Sequence, residues 1–116
     1  WENDHRSGNG ICRYLNNGEY SGKWRMNKKN GKGIMKWSTN NEVYYGEWCD
    51  DKPNGHGVHI ICDDIDSITI EQLDGKHNFT TFNGLNWYYG EWKDGKRDGF
   101  GIYHYSNGAL YKGEWK

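Results

Sequence analysis

The stretch Tyr44-Tyr45-Gly46-Glu47-Trp48, "YYGEW", returns letter for letter at Tyr88–Trp92, with close variants "YSGKW" at Tyr20–Trp24 and "YKGEW" at Tyr111–Trp115. In each copy Tyr, Gly and Trp stand at alternate positions. Residues two apart share one face of a strand, so the period is that of a β-strand rather than a helix. Working outward, Trp1, Trp24, Trp48 and Trp92 are each followed seven residues later by a glycine (Gly8, Gly31, Gly55, Gly99) and two further on by another (Gly10, Gly33, Gly57, Gly101). An aliphatic residue comes next (Ile11, Ile34, Val58, Ile102), and three residues beyond it stand Tyr14, Trp37, Ile61 and Tyr105. The tryptophan spacings are 23, 24, 44 and 23 residues.

One unit is therefore about 23 residues, a length typical of repeat architectures. "YSGKW" supplies a first strand and "GKGIMKW" (Gly31–Trp37) a second, with "RMNKKN" (Arg25–Asn30) as a polar turn between them. Asn17-Gly18 and Asn107-Gly108 mark tight turns between units, since Asn and Gly accept positive φ at low cost. The predicted fold is all-β: a solenoid of stacked β-hairpins forming a single-layer, twisted antiparallel sheet. Glycine inside a strand ordinarily weakens it. Glycines recurring in register instead leave a trough that neighbouring aromatic rings can cover. An isolated hairpin is marginal in water, so units must shield one another. The residues assigned this structural role are Tyr20, Gly22, Trp24, Gly31, Gly33, Tyr44, Gly46, Trp48, Gly55, Gly57, Tyr88, Gly90, Trp92, Gly99, Gly101, Tyr111, Gly113 and Trp115.

The array is expected to fill residues 1–116, with units starting near Trp1, Tyr20, Tyr44 and Tyr88, a half unit at Tyr111, and an insertion at about 62–82. Both ends fall within a unit, so the chain is expected to belong to a longer array or to pair at its edges with another chain, a second copy included. The insertion is acidic: Asp63, Asp64, Asp66, Glu71 and Asp74 face only Lys76, a local net charge of −4. It reads either as a partner-docking loop or as a tolerated surface insertion, and its acids lack the order of a calcium loop.

Composition narrows the function. With 34% hydrophobic residues and a mean hydropathy of −1.16 the chain has little aliphatic bulk, but 16% of it is aromatic, which disordered chains are not. A net charge of −1 offers no field for nucleic acid and little for an anionic membrane. Cys12, Cys49 and Cys62 lack metal spacing and read as reduced thiols. His5, His56, His59, His77 and His104 fall in different repeat columns; His56 and His59, three apart on a strand, face opposite sides. No catalytic motif, phosphate loop or cofactor motif is present, so no catalytic, cofactor or metal residues are assigned. The basic tips (Arg25, Lys28, Lys29 and Lys32; Lys93, Lys96 and Arg97) read as a solvated edge, interrupted by Asp50 and Asp51, or else as a surface for acidic protein tails or lipid headgroups. One sheet cannot cover both of its faces, so one is expected to offer an apolar groove to a partner. The candidate partner-binding residues are Tyr14, Trp37 and Tyr105, with Asp63, Asp64 and Asp66 in the insertion.

The pattern Y-x-G-x-W-x-x-x-x-x-x-G-x-G closely resembles the MORN repeat (membrane occupation and recognition nexus). The runs "GIMKWSTNNEVYYGEW" and "YYGEWKDGKRDGFGIYHYSNGALYKGEW", with the interruption after "NGHGVHI", are similar to the MORN-containing radial spoke head proteins of motile cilia. That resemblance implies a non-catalytic scaffold of the ciliary or flagellar axoneme whose partners are other spoke or axonemal proteins. Two other readings stay open. One is a membrane tether of the kind found in junctophilin-like proteins, which the near-neutral charge disfavours. The other is an accessory region of a larger MORN-bearing enzyme, such as a phosphoinositide kinase or a lysine methyltransferase.

Overall fold

A computed structural model describes residues 7–15, 18–39, 41–62 and 85–115. Eight strands follow in chain order: β1 (Gly8–Arg13), β2 (Gly18–Arg25), β3 (Lys28–Trp37), β4 (Glu42–Cys49), β5 (Lys52–Ile61), β6 (Asn86–Lys93), β7 (Lys96–His104) and β8 (Leu110–Trp115). They form one sheet in sequence order, each strand antiparallel to the next, so the predicted meander of hairpins is what is observed. The insertion at 62–82 lies outside the described residues, apart from Cys62. It leaves the ladder undisturbed, because β5 and β6 pair with Gly57 opposite Gly90.

A line of glycines crosses the sheet. Gly10, Gly22, Gly33, Gly46, Gly57, Gly90, Gly101 and Gly113, one from each strand, are paired in succession. The tyrosine of each unit explains them. The Tyr20 ring lies where a Cβ on Gly33 would stand, the Tyr44 ring where one on Gly57 would stand, and the Tyr88 ring where one on Gly101 would stand. Each tyrosine covers the glycine of the following strand, and its hydroxyl donates to the carbonyl three residues on in its own strand: Tyr20 to Lys23 (2.8 Å), Tyr44 to Glu47 (2.9 Å) and Tyr88 to Glu91 (3.0 Å).

The other letters of the motif have equally local duties. Indole Nε1 of Trp24, Trp48 and Trp92 donates to the glycine carbonyl of the preceding strand, at Gly10, Gly33 and Gly57. Each hairpin carries a bulge after its motif glycine, between Gly22 and Trp24, Gly46 and Trp48, and Gly90 and Trp92. The extra residues of each bulge lie in the second strand of the hairpin, where Gly31, Gly55 and Gly99 take φ of 99°, 105° and 98°, a conformation that favours glycine. The motif glutamate serves the bulge too: Glu47 Oε2 accepts from the His56 amide (2.6 Å) and Glu91 Oε2 from the Phe100 amide (3.1 Å).

The hairpin turns are shorter than the sequence implied. In place of a six-residue turn over Arg25–Asn30, Met26 and Asn27 alone make it, with φ of 49° and 69°, and Lys28–Asn30 continue β3. Asp50-Asp51 and Asp94-Gly95 repeat the geometry. Two positive φ values in a two-residue loop match the twist of the flanking strands, which outweighs the cost of placing a methionine there.

Both faces carry a core. Ile34, Val43, Tyr45, Val58, Ile60 and Trp87 are buried on one. Tyr20, Trp24, Met35, Tyr44, Trp48, Tyr88 and Trp92 are buried on the other. On the second face the rings meet edge to face in a chain that links units: Tyr20 touches Trp24 and Trp48, and Tyr44 touches Trp48 and Trp92, all at 5.0–5.4 Å between centroids. Such T-shaped pairs stabilise beyond the area they bury. At the outer strands the pattern thins, and Ile11, Leu110 and Tyr111 are exposed.

Candidate functional site

The aromatic face holds the groove. Three positions decide its shape, each five residues after a motif tryptophan and paired with it: Lys29 opposite Trp24, Pro53 opposite Trp48 and Arg97 opposite Trp92. The basic residues Lys29 and Arg97 do not belong to a solvated edge, contrary to the sequence reading. Lys29 folds inward, its Nζ 5.0, 5.6 and 5.5 Å from the ring centroids of Tyr14, Tyr20 and Trp48, and its side chain is only 13% exposed. Arg97 does the same over Tyr88, Tyr103 and Trp115 at 5.1, 4.9 and 5.1 Å. The ring faces attract the cations they flank, while the alkyl stems cover apolar surface. Arg25, Lys28, Lys93 and Lys96 stay exposed.

Asp51 completes the Lys29 arrangement. Its Oδ1 accepts from the Lys29 amide at 2.7 Å and lies 3.9 Å from Nζ, while its own amide donates to the Lys29 carbonyl. At the next hairpin Gly95 holds the place of Asp51 and likewise donates to the Pro53 carbonyl at 2.9 Å. It brings no carboxylate, and Pro53 brings neither an amide N–H nor a cation. Replacing Lys29 by methionine keeps the stem and removes the charge. The expected loss is about 0.5–2 kcal/mol, the range for a partly desolvated cation over aromatic rings, read as a shift in the urea midpoint.

Around Pro53 lies a groove of about 560 Å³. Trp37, Tyr44, Trp92 and Trp115 give it aromatic walls; Glu42 and His59 line it, and Lys96 and Arg97 stand on the β7 side. His59 Nε2 and Glu42 Oε1 are 3.0 Å apart, the ring nitrogen donating to the carboxylate. Burial holds the His59 imidazole below its ordinary 6.5; the Glu42 carboxylate opposes that shift and Arg97 adds to it. The unfolded chain thus takes up a proton that the folded chain resists, so this contribution is intact above about pH 7 and is lost on acidification. The melting temperature is expected to fall as pH drops through 6.5, and His59→Gln to flatten that part of the slope.

Of the candidate binding residues, Trp37 lines the groove. Tyr14 shares the same face but is covered by Lys29. Tyr105 follows β7, packs on Tyr103 at 4.6 Å, and lies outside the groove. Asp63, Asp64 and Asp66 lie outside the described residues. The sequence reading missed Glu42, Pro53, His59, Lys96 and Arg97. One signal was available: Pro53 is the only proline, and it stands in a column otherwise filled by the basic residues Arg6, Lys29 and Arg97.

The MORN repeat family model matches residues 1–19, 20–42, 44–64 and 88–110. The chain belongs to the MORN-repeat family, whose repeats are protein-binding or membrane-binding modules. Comparison with curated proteins gives no significant match.

Proposed function

We propose that the chain is a non-catalytic platform on which other proteins assemble, and that its place is the radial spoke head of the ciliary or flagellar axoneme. The observation that carries the first part is the groove on the aromatic face: aromatic walls and ionisable groups held on a rigid, tightly paired sheet, the form in which a repeat surface receives a partner segment. The same face speaks against an acidic-lipid tether. Lys29 and Arg97 lie over internal rings, and exposed Asp50, Asp51 and Asp94 stand among the exposed cations of the hairpin tips, so the described tips present no continuous basic stripe of the kind that anionic headgroups attract. The second part rests on the resemblance of the Gly33–Trp48 and Tyr88–Trp115 runs to spoke head proteins.

The test is expression of the tagged chain in motile, ciliated cells, with imaging and mass spectrometry of what it carries, beside flotation with anionic liposomes. Signal along the axoneme and co-purification of spoke head subunits support the assignment. Flotation with liposomes and cortical signal would replace it with the tether reading. Axonemal signal lost with a Trp37→Ala, Glu42→Gln double variant would place the docking surface at the groove.

A further inference from the structure

Among the described residues, two of the three equivalent positions on the aromatic face are filled by cations of this chain, and the third is not. Lys29 lies among Tyr14, Tyr20 and Trp48, and Arg97 among Tyr88, Tyr103 and Trp115. Between them the same unit presents Tyr44, Trp92 and Trp37, the repeat counterparts of Tyr20, Trp48 and Tyr14. Here Pro53 stands where the lysine would be and Gly95 where its aspartate would be, and the ring walls enclose a groove of about 560 Å³. A carboxylate is still supplied, from the other end: Glu42, paired with Trp37 across β3 and β4. In β2 and β6 the same register position is held by Gly18 and Asn86, so Glu42 brings a charge that the other units do not place there.

We propose that this middle cage is a receptor for a basic side chain, a lysine ammonium or arginine guanidinium, presented by a partner protein. The inference rests on the assembly reading and gives the partner's anchor its chemistry. The incoming cation lies against Tyr44 and Trp92 and meets Glu42, as Lys29 lies against Tyr20 and Trp48 and meets Asp51. Its alkyl stem fills the space over Pro53. Arg97 does not block it. Arg97 belongs to β7, three strands from Glu42 in β4, about 14 Å between backbones at the usual strand spacing, and its guanidinium is held over Tyr88, Tyr103 and Trp115. Lys96 is exposed beside it. Like charges repel, so these cations keep an incoming charge from the β7 side and leave it the Trp37–Glu42 end, where Glu42 supplies the carboxylate. His59, donating to Glu42, fixes the carboxylate in place.

The test needs no native partner. Nα-acetyl-lysine methylamide is titrated into the full chain, and the indole N–H signals of Trp37 and Trp92 are followed by NMR. Nα-acetyl-norleucine methylamide and Nα-acetyl-glutamate methylamide serve as controls. The expected result is a saturable shift with the lysine probe, about fivefold weaker or more with norleucine, the discrimination a cation–aromatic contact provides. Pro53→Lys, which gives the unit a cation of its own as at Lys29, is expected to abolish it. Should that variant not fold, Glu42→Gln is expected to weaken the lysine probe toward the norleucine level. Equal response to norleucine would make the groove merely apolar, and preference for glutamate would make it a site for acids at Arg97 and Lys96. Undiminished binding in folded Pro53→Lys would show that the probe sits elsewhere. Each of these overturns the cage while leaving the assembly reading to its own test.

Discussion

Trp48→Ala is expected to lower the unfolding free energy by about 3–5 kcal/mol, the usual cost of truncating a buried aromatic. Trp48 is 4% exposed and joins two units. Its ring meets Tyr20 edge-on at 5.4 Å and Tyr44 at 5.1 Å, it forms one wall of the Lys29 cage, and its Nε1 donates to the Gly33 carbonyl at 3.0 Å. Removal opens a cavity, leaves a buried carbonyl without its donor, and takes a ring from a buried cation. Trp48→Phe separates these contributions by keeping most of the ring and losing the hydrogen bond, an expected cost of about 1–3 kcal/mol. Urea denaturation followed by far-UV circular dichroism measures both. An unchanged midpoint in the alanine variant would remove Trp48 from the packing that holds the array.

Gly46→Ala is expected to cost about 3 kcal/mol, at the upper end of overpacking penalties. A Cβ there would collide with the Gly57 Cα across the ladder, approach the His56 carbonyl oxygen to 2.5 Å and the Tyr44 hydroxyl to 2.9 Å. Two of these three are backbone atoms of β5, so no side-chain rotation relieves the clash. The third belongs to a phenol pinned by two tryptophan rings. Gly108→Ala provides the contrast. Nothing stands within 4 Å of its Cβ, and only the φ of 93° opposes a side chain, a cost of about 1–2 kcal/mol. Melting temperatures of the two variants should differ clearly, and a Gly46→Ala protein as stable as Gly108→Ala would mean that β4 and β5 can part without loss.

The ladder was legible because its signals are local and repeated. Tyr, Gly and Trp at alternate positions fix the face, and paired glycines fix the register, since any slip would drive a side chain into Gly33 or Gly57 where a tyrosine ring already lies. The two glycines of each G-x-G looked alike in sequence but do different work. Gly31 bends the chain at a bulge, whereas Gly33 makes room for a ring. The groove was less legible. Lys29 and Arg97 are polar letters in polar surroundings, and a lysine beside a turn ordinarily reads as solvated. Their inward course depends on rings distant in sequence, Tyr14 just after β1 in one case and Trp115 of β8 in the other, which no local pattern brings together. Trp37 was found because it recurs in a column. Glu42 and His59 were missed because each occurs once in its column and so stands outside the repeat.

The transverse line of glycines sets a unit of length. Each hairpin advances the sheet by two strand spacings, about 9.5 Å, and returns the backbone to the same side-chain-free point with the same ring beside it. Lengthening or shortening the array by one hairpin therefore displaces whatever is fastened beyond it by a fixed step and poses no new packing problem. The molecule is in this respect a graduated rod: distance is counted in whole divisions, and the Gly57–Gly90 pairing shows that the count survives a detour of the chain between two marks.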